Sequence, residues 1–295
     1  MNIRRLRNLV PICLAILVLN PFFPGLGRHV DALVQSDSAW VAFVPPDEEF
    51  TVTVPARPTA RTYPASNYYK TDQERILAHR EYGGYGNGLI FIVHSYKAER
   101  PQRLSGGLLN LTDQNAALER EISIDGVAAR LYRSPYSNRY ATYTRHMVRF
   151  ISKQHLYLIT LVTLEETNRA VDRFLSSLRL RRPEDQVTPV GPSAENILTN
   201  VFSPNEVTRH AIIVWKSEPW YTDEARAHGV KGTVTLEAVF AEDGYVANIT
   251  VTKGLKDGLT ENAIDAARNI RFFPAEKDGR LVSQRTMLEY NFDLY

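Results

Sequence analysis

The sequence predicts an α+β protein of two domains, an N-terminal sheet-plus-helix domain and a small C-terminal αββαβ domain. Between residues 50 and 162, several segments alternate apolar and polar side chains with the period of strands, and an apolar helical stripe follows at 165–178. A proline-rich stretch at 181–206 separates this set from a second patterned set at 219–294. A chain of 295 residues is long enough for two such domains.

The first 32 residues have the character of an export segment. Arginines at positions 4, 5 and 7 make a basic start, and the apolar run at 9–19 follows before prolines interrupt it. This combination is typical of a secretory signal peptide, whereas a spanning helix needs about 20 apolar residues. An uncleaved membrane anchor that extends through Phe22 and Phe23 is the alternative.

Residues 38–180 carry the pattern of one sheet closed by a helix. The segment 89–96 is a nearly continuous apolar run, which predicts a central strand. The glycine-rich run at 83–88 precedes a strand rather than a helix and has no following lysine, so it predicts a hairpin rather than a phosphate loop. The other predicted elements are strands at 50–54, 63–69, 122–125, 128–132, 146–150 and 156–162 and a helix at 165–178.

The segment 181–206 is predicted to be a linker, because its four prolines alternate with polar residues. The C-terminal domain, at 207–295, is predicted to begin with a short helix that Gly229 ends. Asp243-Gly244 is a hairpin signal between two strands. The predicted elements are a helix at 222–228, strands at 232–240 and 245–251, a helix at 259–270 and a last strand at 282–294.

Several short motifs occur one after another in this C-terminal domain. They are Pro219-Trp220-Tyr221 with Ala225, Gly232-Thr233-Val234, Asp243-Gly244-Tyr245-Val246, Leu259 with Ala263, Phe272-Phe273-Pro274-Ala275 and Asp278-Gly279. Their order resembles the C-terminal domain of TonB, the energy transducer of Gram-negative outer-membrane transport. Thr222 departs from the pattern, because the family has a second proline there. Phe50-Thr51-Val52 and Phe174-Leu175 also make residues 38–180 resemble exported PsbP-like α/β domains.

The last strand is the candidate partner-binding site. At a sheet edge, unpaired backbone groups form a template for another strand, although charges such as Arg285 and Glu289 also blunt edges. The residues alone favour the blunted edge. The resemblance implies the opposite, because TonB pairs this strand with the TonB box of a receptor by β-augmentation. The candidate residues are Trp220, Tyr221, Val282, Gln284, Arg285, Thr286, Met287, Leu288, Glu289 and Tyr290.

The sequence predicts neither an enzyme nor a cofactor-binding protein. Its seven histidines have no metal-ligand spacing, and no nucleophile elbow occurs, so we predict no catalytic residue and no metal. The single cysteine, Cys13, lies in the N-terminal apolar run. A net charge of +2 does not indicate nucleic-acid binding. An unrecognised pocket, if there is one, is expected near His94 and the tyrosines at 68, 69, 82 and 85.

Two functions remain open. The resemblance implies a periplasmic energy transducer that couples the inner-membrane proton-motive force, through an ExbB–ExbD-type motor, to a TonB-dependent outer-membrane receptor. The alternative is a periplasmic or envelope interaction module, secreted or anchored in the inner membrane, that works without energy input. The family's anchor helix carries a serine and a histidine that residues 9–23 lack. A homodimer through the C-terminal domain is open under either function.

Intact-mass measurement of the chain recovered from cells distinguishes these functions. A transducer needs its inner-membrane anchor, so it is expected to retain residues 1–32 and to match the mass of chain made by cell-free translation. A mass that corresponds to a chain beginning after Gly27 or after Ala32 would show cleavage of a signal peptide and would favour the interaction module.

Overall fold

The computed structural model describes most of the chain beyond residue 39. The described residues are 40–56, 58–63, 75–104, 116–137, 141–165, 169–182, 184–187, 198 and 200–293. The predicted export segment, residues 188–197 of the predicted linker, Tyr68 and Tyr69 lie outside them. Within the described ranges, no helix is long and apolar enough to span a membrane. From residue 34 onward the chain forms one compact unit, so the predicted two-domain layout is not confirmed.

The first half of this unit is built on a seven-stranded antiparallel sheet, called here the larger sheet. Its elements in chain order are β1 (Val41–Phe43), β2 (Phe50–Val54), β3 (Thr59–Tyr63), β4 (Ile76–Gly86), β5 (Leu89–Ala98), β6 (Ala117–Ile124), β7 (Val127–Ser137), β8 (Thr142–Ser152), β9 (His155–Thr163), α1 (Arg169–Ser177) and β10 (Arg179–Leu180). The strand order is β3-β4-β5-β9-β8-β7-β6. The strand β5 therefore lies inside the sheet, as its apolar run predicts. A separate small sheet has the order β1-β2-β10.

Most predicted elements of this half are present with shifted bounds. The described helix α1 begins at Arg169 rather than at residue 165. The strand predicted at 63–69 overlaps β3 only at Tyr63, and residues 64–69 lie outside the described part. The strand β4 was not predicted, because three glycines in its last four residues hide its pattern and glycine has low strand propensity.

The predicted glycine-rich hairpin is confirmed between β4 and β5. Asn87 and Gly88 have φ of 51° and 70°, so both central residues are left-handed, as a two-residue type I′ turn requires. Such a turn matches the right-handed twist of the strands on either side. The hairpin therefore has no helix N-terminus with which to bind a phosphate.

The helix α1 covers the core face of the larger sheet. Its buried residues Ala170, Val171 and Phe174 lie in one cluster with residues of β2, β5 and β9. Beside this core, the buried carboxylate of Glu48 accepts hydrogen bonds from Ser95 Oγ at 2.6 Å and from the hydroxyls of two tyrosines, Tyr82 and Tyr157, at 3.0 and 3.1 Å. These bonds compensate the buried charge and attach the turn before β2 to the larger sheet.

The C-terminal half adds two helices and a second sheet. Its elements are β11 (Val201–Phe202), β12 (Ile212–Trp215), α2 (Asp223–Ala227), β13 (Gly232–Phe240), β14 (Val246–Lys253), α3 (Leu259–Arg268), β15 (Arg271–Phe273), β16 (Ala275–Lys277) and β17 (Arg280–Phe292). The sheet has the order β11-β17-β13-β14, with β16 also beside β17, whereas β12 pairs with β15. All five predicted αββαβ elements are present, and β11, β12, β15 and β16 are additional.

The predicted linker is wrong at its C-terminal end. Val201 and Phe202 pair in parallel with Ser283 and Gln284 of β17. A 3-10 turn at Pro204–Glu206 follows, and a capping box between Ser203 and Glu206 stabilises it. Proline is well placed at the start of such a turn, because the amide hydrogen that it lacks would have no partner within the turn.

The short helix α2 shows how local sequence sets an element in this half. Thr222 is its N-cap, and its hydroxyl accepts a hydrogen bond from the Ala225 amide at 3.0 Å. Gly229, at a φ of 62°, ends the helical segment as predicted. The departure of Thr222 from the family's proline thus leaves a good N-cap in place.

The two halves share a buried contact. Arg271 of β15 forms an ion pair with Glu81 of β4, and both side chains are about nine-tenths buried. Burial alone would raise the pKa of Glu81, but the charge of Arg271, with help from His94 and from a hydrogen bond donated by Tyr63, lowers that pKa to about 2. An apolar cluster also joins the halves, with Tyr85, Ile90, Tyr143 and Val162 on one side and Ile212, Val214, Phe273 and Leu281 on the other.

Glycines allow this close approach. A Cβ added at Gly244, where φ is 87°, would lie 2.5 Å from the Cβ of Tyr85. A Cβ at Gly84 would lie 3.2 Å from the Tyr245 hydroxyl. The glycines of β4 and of the β13–β14 turn therefore bring the two halves within backbone distance.

Replacement of Glu81 by glutamine is expected to destabilise the whole described unit. The substitution leaves the Arg271 guanidinium buried without its carboxylate, which lowers the free energy of unfolding by about 3–5 kcal/mol. The matched control is Glu121→Gln, because Glu121 pairs with Arg130 in an exposed position and should change stability by less than about 1 kcal/mol. Urea unfolding followed by circular dichroism measures both changes, and equal effects would contradict the prediction.

Candidate functional site

The last strand, β17, presents one exposed and one buried row of side chains. Arg285, Met287, Glu289 and Asn291 are exposed, whereas the buried row consists of Gln284, Leu288, Tyr290 and Phe292, with Thr286 half-buried between them. This is the alternation that the sequence predicts. The buried row packs on the C-terminal core, and the exposed row is available to a partner.

One edge of β17 has no strand partner along most of its length. On the inner edge, β13 pairs with every residue from Gln284 to Phe292. On the outer edge, β11 pairs with residues 283 and 284, and before that point β16 pairs with residues 280–282 at the start of the strand. Beyond that point, none of the strands in the described ranges adjoins the outer edge. We call residues 285–292 the open edge of β17.

The orientation of the backbone along the open edge follows from one contact. The ammonium of Lys216 donates a hydrogen bond to the Glu289 carbonyl at 2.7 Å, so this carbonyl points away from β13. In an antiparallel strand the N–H and C=O of one residue point to the same side, and the side alternates along the chain. The backbone groups of Arg285, Met287, Glu289 and Asn291 therefore face the open edge.

The ten residues predicted as the site divide into three groups. Arg285, Met287 and Glu289 supply the exposed row, and Trp220 is 72% exposed on the chain that leads to α2. The half-buried Tyr221 packs edge-on against Phe292. The remaining five are internal to the C-terminal sheet: Val282, Gln284, Thr286, Leu288 and Tyr290.

Two of these internal residues lie outside the open edge. Val282 pairs with Ala275 of β16, and Gln284 pairs with Phe202 of β11. The Gln284 side chain also accepts a hydrogen bond from the Ala211 amide at 2.8 Å. Both residues therefore hold neighbouring segments of the same chain and are not available to pair with a partner strand.

Sequence reasoning missed Trp215 and Lys216. Trp215 is 52% exposed at the end of β12, and the Lys216 ammonium lies 4.4 Å from the centre of the Tyr290 ring. The contact between Lys216 and Glu289 spans 73 residues, so no local pattern could have revealed it. The only feature of the sequence that could have suggested a role in binding was a tryptophan next to a lysine.

The predicted pocket near His94 is present as a cavity of about 510 Å³. His79, His94 and Tyr96 line it together with residues of the C-terminal half. Tyr82 lies elsewhere, since its hydroxyl bonds to Glu48, and Tyr85 packs against Phe273. Of the four tyrosines predicted there, Tyr82 and Tyr85 are among the described residues, and neither lines the cavity.

A pair of histidines lies at this cavity, with the His79 side chain buried and the His94 side chain half-buried. His79 Nε2 is 3.1 Å from His94 Nδ1, and the ring of His79 stacks between Tyr63 and Tyr96. Burial, followed by the neighbouring His94, lowers the pKa of His79 to about 3, and burial also lowers the pKa of His94. Both imidazoles are therefore neutral at neutral pH.

A cluster of possible metal-ligand side chains lies at the surface of the C-terminal half. His228 Nδ1 is 2.8 Å from Asp257 Oδ2, and Glu224 completes a group whose potential ligand atoms lie within 4.8 Å of one another. The sequence did not indicate it, because His228 and Asp257 are 29 positions apart. Thr222 Oγ1 also donates to the Asp257 carbonyl, so the cluster connects α2 to the turn before α3. We assign it a structural role.

The neutral state of His79 predicts a loss of stability in mild acid. Its pKa lies far below the ordinary value of about 6.5, so the unfolded chain binds a proton that the native chain excludes. The free energy of unfolding should fall by up to about 1.4 kcal/mol per pH unit for each such histidine as the pH drops from 6.5 to 5. Urea unfolding at pH 7.0, 6.0 and 5.0 measures this slope. The variant His79→Gln should reduce it, and an unchanged slope would contradict the prediction.

Comparisons with known proteins concern the C-terminal half first. Residues 217–294 match the family model described as the Gram-negative bacterial TonB protein C-terminal. The solution NMR structure of the Pseudomonas aeruginosa TonB C-terminal domain is similar at 21% identity, over 32% of this chain and 96% of that chain, with a TM-score of 0.27. A crystal structure from Bacteroides thetaiotaomicron is similar at 10% identity, over 63% of this chain and 55% of that chain, with a TM-score of 0.32.

These TM-scores are low, so the family match carries the assignment. No curated protein matches the chain. The resemblance of residues 38–180 to PsbP-like domains is tested by none of these matches and stays a prediction. The match covers the helices α2 and α3 and the strands β13 to β17 in full. Residues 217–294 form a C-terminal domain of the TonB family.

Proposed function

We propose that the C-terminal half binds an extended peptide of a TonB-dependent outer-membrane receptor by adding it as a strand to β17. The observation that carries this proposal is the open edge, where four successive outward residues present backbone groups without a strand partner in the described part of the chain. The family match supports the same strand, because TonB pairs its last strand with the TonB box.

Main-chain hydrogen bonds would supply most of the affinity. Each contributes only about 0.5–1.5 kcal/mol net, because the free edge and the free peptide are both bonded to water. A captured strand must also displace the Lys216 ammonium from the Glu289 carbonyl. Lys216 thus protects the open edge until a partner with several backbone bonds replaces it, which disfavours weak, non-specific pairing.

Exposed side chains next to the open edge would give selectivity. Met287 is 54% exposed in the middle of the outward row, between Arg285 and Glu289. Arg285 pairs with Glu237 of β13, so its charge is partly compensated. The surface is therefore apolar at its centre and charged on either side, which favours a peptide with an apolar residue flanked by polar ones.

The finer proposal is energy transduction in the periplasm. In this proposal, residues 1–32 anchor the chain in the inner membrane, an ExbB–ExbD-type motor drives it, and the C-terminal half acts on the receptor. The family match supports this role. The interaction module without energy input is the second candidate, and it is favoured by the missing serine and histidine in residues 9–23.

Proline at an outward position of β17 should weaken capture without unfolding the domain. Met287→Pro removes an amide hydrogen from the open edge but leaves the hydrogen bonds to β13 in place, and proline is tolerated on edge strands. We expect at least about tenfold weaker binding of a TonB-box peptide, measured by calorimetry on the full chain. The matched control Met287→Ala keeps the amide and should bind within about threefold of the parent.

A second pair at Arg285 tests the same edge with a different side chain. Arg285→Pro should weaken binding and Arg285→Ala should not, although both remove the ion pair to Glu237. Circular dichroism verifies that each variant is folded. A folded proline variant at either position that binds like the parent would show that the peptide does not add to this edge.

A further inference from the structure

The cavity between the larger sheet and the C-terminal half has the construction of a small-molecule site. Its floor comes from strands of the larger sheet, including Ile92 of β5, Arg149 of β8 and Thr160 of β9. Its other wall comes from Trp215 and Trp220. The volume, about 510 Å³, lies within the range of about 300–1,000 Å³ that ligand sites occupy.

Two buried polar atoms at this cavity lack hydrogen-bond partners among the described residues. Arg271 pairs through Nη2 with Glu81, but its Nε donates to none of them. Asn269 donates through Nδ2 to the Asp265 carbonyl, while its Oδ1 accepts from none of them. Buried polar groups in native proteins are nearly always bonded, so the leftover Arg271 donor indicates a ligand group that accepts a hydrogen bond, whereas the Asn269 oxygen needs a donor such as water.

The charge of the lining favours an anion. Three arginines line the cavity, Arg145, Arg149 and Arg271, against a single carboxylate among the described lining residues, that of Glu81. The two histidines add no charge, because burial keeps both neutral. The rest of the lining is largely apolar or aromatic. An anionic head among arginines and an apolar body between the remaining walls would match this lining.

We propose that this cavity binds a small amphipathic carboxylate. Its head would be held near Arg271 and Arg149, and its apolar body would lie between the larger sheet and the two tryptophans. Guanidinium groups suit this head, since their planar donors match a carboxylate better than any neutral group. This binding is separate from strand capture, because none of the outward residues of β17 lines the cavity.

Tryptophan fluorescence and calorimetry on the full chain test this site. Two of the three tryptophans line the cavity, whereas Trp40 lies against Arg173 of α1. The probes are 2-naphthoate and dodecanoate, each beside its neutral primary amide. At least one carboxylate should change the fluorescence and bind at least about tenfold more tightly than its amide. The carboxylate that binds more tightly identifies the body as aromatic or aliphatic, and either result supports the proposal.

Matched variants assign any binding to the cavity. Thr160→Tyr places a ring on its floor and should abolish binding, whereas Thr250→Tyr, at an exposed position of β14, should not. Arg149→Gln should weaken carboxylate binding about tenfold and leave the amide unchanged, whereas Arg280→Gln, at an exposed position that does not line the cavity, should change neither.

Three results would overturn the proposal. They are equal binding of a carboxylate and its amide, undiminished binding by a folded Thr160→Tyr variant, and no binding of any probe. Because Met287→Pro leaves the cavity lining unchanged, it should bind the carboxylate like the parent. A failure of strand capture is therefore distinguishable from a failure of this site.

Discussion

The ion pair between Glu81 and Arg271 joins the two halves of the protein, and the positions of both candidate sites depend on it. It connects β4 of the larger sheet to β15, which in turn pairs with β12. A charge buried at this depth is tolerated only with a partner of opposite charge. Separation of the two halves would therefore leave the carboxylate of Glu81 and the guanidinium of Arg271 without each other. The apolar cluster around Phe273 reinforces this contact.

Close backbone packing accompanies the ion pair. The glycines at the end of β4 leave room for Tyr245 and Arg271, and Gly244 leaves room for Tyr85. Gly88, two residues after the last of the β4 glycines, forms the tight hairpin into β5 together with Asn87. One short run of residues therefore serves two purposes, a local turn and a contact between distant parts of the chain. Only the first is visible without the structure.

The chain between β12 and α2 connects the two candidate sites. Lys216 extends its ammonium to the open edge of β17, while its neighbour Trp215 lines the cavity. Trp220 lines the same cavity, and its carbonyl accepts a hydrogen bond from Asn262 of α3. Because the ion pair fixes β15 and β12 pairs with β15, this segment is held between the larger sheet and the edge of β17.

The features that depend on local periodicity and turn chemistry can be predicted from the order of the amino acids alone. The alternation along β17, the helix stripe of α1, the αββαβ order and the Asn87-Gly88 hairpin are all of this kind. Neighbouring residues decide them, because side-chain period and left-handed φ are properties of a few consecutive positions.

Which edge of β17 is open, and what lies beside it, depends on contacts between distant parts of the chain. Strand order is set by pairing between distant segments, and the contact of Lys216 with Glu289 spans 73 residues. The pairing of Glu81 with Arg271 spans 190 residues and lies within the compact unit that begins at residue 34. No local pattern records such contacts, because burial of a charge or opening of an edge is a property of the assembled chain.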